Sequence, residues 1–319
     1  MAHNVETMAY AGETPWHGLG KKTSPDLTPE QFMVEAQLDW EVAKRPLTYR
    51  WKNPATGKEE HKKSSGVALV RLSDGKELDQ VSGDWEPVQN AQAFEFFYEY
   101  VMAGDMEMHT AGSLQGGRIV WALAKTKESF TICNRDQTDA FVLFTNFHIY
   151  GKSTDVRFTP IRVVCNNTLD LALNQVAKRG LRMNHRRAFD ANKVKEAMGI
   201  YREKFEEHRL LCDFLASRKA KKDKVKEYAS QLFPLSEAAK EKKEEELSRN
   251  AKLCLELIEK QPGAQFGAGT WWPVFNAVTF MTDHVMGHKA DSRLNAAWYG
   301  ANRQLKIDAL HLAKEMADA

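Results

Sequence analysis

The chain has 319 residues, 43% hydrophobic and 28% charged, a globular balance with room for one large or two ordinary domains. A net charge of +2 excludes histone-like binding driven by charge over the whole surface, but leaves a local basic patch open. No apolar run approaches the ~20 residues of a membrane helix, and residues 1–6 lack both a basic leader and an apolar stretch. The expectation is a cytoplasmic protein with no membrane partner. Cys133, Cys165, Cys212 and Cys254 form no CxxC pair, which speaks against a zinc knuckle or redox dithiol and for buried small hydrophobes. No metal or other cofactor is expected.

Residues 1–26, with Gly12, Pro15, Gly18, Gly20 and Pro25, read as an N-terminal arm without regular structure. Thr28-Pro29-Glu30-Gln31 then combines a cap, a proline at the first helical position and a polar partner three residues on, which predicts a helix start. Segments 66–72 and 76–81 around Ser73-Asp74-Gly75 predict a hairpin. Asn90 can cap a helix whose Phe94, Phe97, Tyr98 and Val101 share one face. A second hairpin turns at Gln115-Gly116-Gly117 and returns through 118–123. Strands follow at 141–147 and 155–164, where Pro160 predicts a bulge or an edge position. After Asn166-Asn167-Thr168 the pattern becomes helical, with Val194, Met198, Tyr201, Phe205, Cys212 and Leu215 on one long amphipathic helix. Segment 218–249, rich in Lys and Glu, reads as a solvated helical hairpin or linker, and Leu294 to Met316 as a C-terminal helix. The fold class is therefore α+β: an arm at 1–26, an antiparallel hairpin-rich core at 27–175, and a mainly helical region at 176–319. All the hairpins are expected in one sheet.

Catalytic motifs are mostly broken. Gly151-Lys152-Ser153-Thr154 resembles the tail of a phosphate loop, but Asn146 stands where its first glycine belongs and a strand follows instead of a helix. His284 and His288 are spaced as metal ligands on a helix, but Val285 replaces the glutamate of the zincin pattern. Cys165 has no recognisable base beside it, and Asn166, Asn167 and Thr168 suffice as turn and cap residues. Trp16 reads as an anchor of the arm on the core or a neighbouring subunit, with a stacking surface for a base as the alternative. The pair Trp271-Trp272 adds to an expectation of self-association.

Positive charge survives this sifting best. Arg157 and Arg162 flank Pro160 and are expected to face outward, opposite Val156 and Phe158. Lys178, Arg179, Arg182, Arg186 and Arg187 follow, and residues 174–189 contain no acid before Asp190. Arg118 and Lys152 extend the strip. Such a surface suits a phosphate backbone, whose counterions it would release, and equally a solvated helix face.

Several segments resemble a family of phage/plasmid-like proteins of unknown function, found on phages, plasmids and prophages. They are Met8-Ala9-Tyr10, Glu13 to Gly20, Leu38-Asp39-Trp40, Pro87 to Phe97 and Thr110 to Gly117, then Arg157 to Leu169, Asn276 to Thr279 and Asp283-His284. The resemblance spans nearly the whole chain but departs at Phe147 to Lys152. It implies a mobile-element context and no particular activity. The reading is a nucleic-acid-binding protein, single-stranded DNA foremost, acting in recombination, replication or counter-defence, with an outline similar to phage annealing proteins. The alternatives are a factor that targets a host protein through 218–249, and an enzyme with a site near His17, Cys165 or His284.

Overall fold

The computed structural model describes residues 5–12, 19–162, 167–168, 182–183, 191–237, 246–287 and 290–319. Its larger sheet has eight strands: β1 (Val5–Ala11), β2 (Lys21–Thr23), β6 (Met106–Leu114), β7 (Ile119–Ile132), β8 (Asp136–Phe147), β9 (Thr154–Arg162), β10 (Asn167–Thr168) and β11 (Arg182–Met183). The order is β10-β9-β8-β7-β6-β1-β2, with β11 also on β9, and only the β1–β2 pair is parallel. A smaller sheet holds β3 (Val42–Lys52), β4 (Glu59–Arg71) and β5 (Glu77–Ser82) in sequence order.

This arrangement is α+β with an antiparallel, hairpin-rich core and helices after it. It corrects three expectations. Asn167 and Thr168, read as turn and cap residues, form β10 against Arg162 and Ile161. The 66–82 hairpin belongs to the separate small sheet, because β5 pairs only with β4. Residues 5–11 form a strand, because β6 needs a partner on its free edge and Ala9 and Ala11 supply small buried side chains there. Pro160 is accommodated as the residue type requires. Among the described residues, the outer edge of β9 is paired only at its two ends, by β11 at Thr154 and Asp155 and by β10 at Ile161 and Arg162.

Alternation along the strands sends side chains to two apolar faces. On one, Ala122, Ala124, Val142, Phe144 and Phe158 pack under helices α1 (Pro29–Glu35), α2 (Asn90–Met102) and α3 (Ala191–Ser217), continuous with the C-terminal helices. On the other, Trp121, Leu123, Leu143 and Phe147 meet Leu294, Ala297 and Trp298. The capping box foreseen at Thr28 is present: Gln31 N donates to Thr28 Oγ1 at 3.2 Å, and Thr28 N donates to Gln31 Oε1 at 3.0 Å.

The C-terminal part continues with α4 (Lys222–Leu232), α5 (Arg249–Lys260), α6 (Trp271–Phe280), a π turn (Met281–Val285), α7 (Ala290–Tyr299) and α8 (Ala301–Asp318). Residues 222–232 are no linker, since α4 buries Tyr228 and Ala229 and Tyr228 Oη donates to Ala309 O at 3.0 Å. The helix read over Leu294 to Met316 is two helices meeting at Gly300, where an added Cβ would lie 3.0 Å from Ala296 Cα. Trp271 and Trp272 are 1% and 2% exposed, and Trp272 Nε1 donates to Asp136 Oδ2 at 2.7 Å. The chain's own core consumes that aromatic surface, so it offers nothing for self-association.

The small sheet is bolted to the large one by charge. Arg71, 8% exposed, grips Glu6 of β1 with two hydrogen bonds of 2.8 and 2.9 Å. It also donates to Asp74 at 2.9 Å and lies over Trp40. The guanidinium holds the Asp74 carboxyl down at about 2 and lowers that of Glu6. Gln89 fixes the root of β3 by exchanging two 2.9 Å bonds with the Val42 backbone.

Candidate nucleic-acid interface

The expected basic strip is only partly within the described residues, and the parts there are unequal. Arg157 is committed to the fold: it pairs with Asp155, donates to Trp298 O at 2.7 Å and lies over the Tyr299 ring. Val156 and Phe158 do face the core, but the arginine faces α7 rather than solvent, because the second side of the sheet is also covered. Arg118 pairs with Asp79 at 3.3 Å. Lys152 is exposed on the β8–β9 turn, near Tyr150, whose N–H donates to the same Asp79 at 2.8 Å. Arg162 and Arg182 have backbones in β9 and β11, and their side chains lie outside the described residues. Lys178, Arg179, Arg186, Arg187, Trp16, His17, Cys165 and His288 lie outside them altogether.

The enzymatic candidates fare no better. Gly151 is the third residue of the turn closed by Lys152 N donating to Ile149 O, with φ of 72°, and Thr154 begins a strand, so no helix N-terminus follows the Gly-Lys-Ser-Thr run. His284 stacks on Phe280, while Asp283 is fully buried and receives a 2.8 Å hydrogen bond from the equally buried Lys306. The described residues hold no group of three or more His, Cys, Asp or Glu able to take a metal ion. Cys212 and Cys254 are buried as expected, and burial pushes the Cys254 thiol up to about 12; Cys133 is exposed on the β7–β8 turn.

A stronger cationic surface stands where no strand was expected. Beyond Pro46, strands β3 and β4 leave the small sheet and pair only with each other, Thr48 opposite Lys63 through Lys52 opposite Glu59. Pro46 sits on the edge strand, where its missing N–H costs no ladder bond. There the register shifts, with Leu47 on β3 opposing Ser64, Ser65 and Gly66 on β4, a bulge that re-aims the outer part of both strands. Asn53-Pro54-Ala55-Thr56-Gly57 closes the tip: Asn53 Oδ1 accepts from Ala55 N at 2.9 Å, and Gly57 takes φ of 66°.

Residues 44–63 carry seven Lys and Arg against two Glu. Lys44 pairs with Glu86, and Lys62 with Glu60 at 2.9 Å. Arg50, Lys52, Lys58 and Lys63 are exposed and have no carboxylate partner among the described residues. Alternation puts Arg50, Lys52, His61 and Lys63 on one face of the ribbon, and Tyr49, Trp51 and Lys62 on the other. Tyr49 is 53% and Trp51 37% exposed, with the Lys62 ammonium 4.8 Å from the Trp51 ring centroid. The arm thus presents an excess of cations on one side, Arg50, Lys52 and Lys63 against Glu59, and two aromatic faces on the other, the pair of features that recognises a phosphate backbone and unstacked bases. The turn at 53–57, between segments containing Leu47, Thr48, Tyr49 and Trp51, was the available signal in the sequence.

No curated protein and no solved structure matches the chain. Residues 77–298 match the sequence model of a family described as Domain of unknown function (DUF932), so the match takes in both faces of the large sheet and begins just past the β3–β4 arm. With most of its length matched, the chain belongs to the family of the Domain of unknown function DUF932.

Proposed function

We propose that the protein binds nucleic acid, single strands in preference to duplex, and that the β3–β4 arm is the principal contact. The exposed arm carries this reading, with four cations that have no carboxylate partner among the described residues and two unburied aromatic side chains. Tyr49 and Trp51 are two residues apart on one strand and so project side by side, spaced to take neighbouring bases of an extended strand. The stretch 174–189, basic and free of acids, is a second candidate phosphate contact. Recombination, replication or counter-defence in the cytosol of a host cell is the setting that fits.

Fluorescence anisotropy with labelled oligonucleotides over a salt series tests this. Affinity for single strands should fall with salt at a log–log slope of about −0.7 per neutralised phosphate. Arg50→Ala/Lys52→Ala/Lys63→Ala should weaken binding and flatten that slope by about 2. Trp51→Ala should cost about 1–3 kcal/mol of affinity with the slope unchanged, since stacking releases no counterions. Replacing Arg182, Arg186 and Arg187 together by Ala measures the share of the second stretch. Absence of binding to DNA and RNA at low salt rejects the reading and leaves a host-protein target in front.

A further inference from the structure

The chain's opposite charge is gathered as tightly as its positive charge. Residues 26–41 contain five acids and residues 84–117 contain six, with no Lys or Arg in either segment. These segments build α1, α2 and the strands and turns around them. Between the two helices runs a groove of about 270 Å³, floored by Met33 and Phe94 and walled by Tyr98, with Glu30 and Glu95 at its rim. Tyr98 is 47% exposed, and the neighbouring Val34 is 52% exposed. Glu30 and Glu95 are exposed and form no ion pair among the described residues. An apolar slot edged by unpaired carboxylates selects an apolar or aromatic side chain flanked by cations. It also repels a phosphate backbone, which separates it from the surface described above.

We infer that the occupant of this groove is the β3–β4 arm of a second copy of the same chain, which inserts Tyr49 or Trp51 between α1 and α2 and sets its lysines against Glu30 and Glu95. The arm matches the slot in each respect: aromatic side chains exposed on one face, Lys62 beside them, and a local excess of positive charge. Intramolecular docking is disfavoured by the anchoring of the arm's root. Gln89, at the N-terminus of α2, clamps Val42, and the arm beyond Pro46 pairs only with itself. Arm and groove are different surfaces, so reciprocal exchange closes a dimer and one-way insertion makes a ring or an open chain. The inference shares the arm with the nucleic-acid reading but does not depend on it, because the groove residues take no part in that reading.

Sedimentation velocity on the full chain at rising concentration tests the inference. Wild type should associate, and more weakly as salt is added. Glu30→Lys/Glu95→Lys should weaken association about tenfold or more while oligonucleotide affinity stays undiminished. Tyr98→Ala, at an exposed position that folding does not need, should weaken association as well. Charge reversal on the aromatic face of the arm, Lys62→Glu, should by itself weaken association, and mixing that variant with Glu30→Lys/Glu95→Lys should restore it. A wild type that stays monomeric throughout, groove variants that associate like wild type, or a mixture that fails to restore association would each overturn the inference. Loss of oligonucleotide binding bears only on the nucleic-acid reading.

Discussion

His208 shows how one side chain can be read in pH. It projects from α3 into the core, with Phe130 edge-on at 5.8 Å and Cys212 Sγ 3.4 Å from its Nε2. Burial pushes its imidazole down to about 4, so the folded state keeps it neutral where an unfolded chain, near 6.5, would protonate it. Between those values the unfolded state binds the extra proton. This contribution to stability is therefore complete above about pH 6.5 and is lost as pH falls towards 4. The amount is of order 3 kcal/mol, since each pKa unit corresponds to about 1.4 kcal/mol. Urea unfolding across this window should show the slope for wild type and a shallower one for His208→Leu; parallel curves would assign the loss to other groups. The sequence hints at the difference from the exposed His61 and His311, since His208 falls between Phe205 and Cys212 on the apolar face of its helix, but only the packing of α3 on the sheet beneath buries it fully. Lys306 and Asp283 make the same point more sharply. Both are fully buried and paired across 23 residues of sequence, where a reading of His284 and His288 as a metal pair attended only to local spacing.

Elements differed in legibility according to whether they have an inside. Helices α1 and α2 were legible because a capping box marks the first and an apolar face the second, although α2 is capped by Gln89 and not by Asn90, which lies inside the helix and donates to Leu38 O, and Tyr98, assigned to that face, stands exposed beside the groove. The hairpins 66–82 and 106–132 were legible for the same reason, a turn between apolar alternations. The outer parts of β3 and β4 were not. Both faces of the ribbon meet solvent, so its side chains alternate between cations and aromatics instead of between polar and apolar. Since that ribbon buries almost nothing, the rest of the chain should fold without it. Replacing residues 48–63 by a short glycine-containing turn should leave the unfolding free energy within about 0.5 kcal/mol of wild type, the range of surface changes. The same variant should lose most oligonucleotide affinity. A large loss of stability would show that the arm is packed and would weaken both readings built upon it.

At the scale of the molecule, charge is segregated: a basic arm, an acidic helical layer, and a sheet closed on both sides by apolar contacts. If the arm serves both phosphate and a neighbour's groove, the two ligands compete. Adding a short single-stranded oligonucleotide should then dissociate the assembly seen by sedimentation, and association that persists with saturated oligonucleotide would show that the two uses occupy different faces of the ribbon. The sequence by itself determined the α+β class, the order of most hairpins and helices, the broken catalytic motifs and the family resemblance, because these rest on periodicity and on contacts within a few residues. Only the tertiary structure decided that Arg157 is spent on Asp155 and Trp298, that Trp271 and Trp272 lie in the core, and that Tyr49 and Trp51 do not. Solvent exposure and charge pairing depend on which distant segments pack together, and a linear pattern carries that information only weakly.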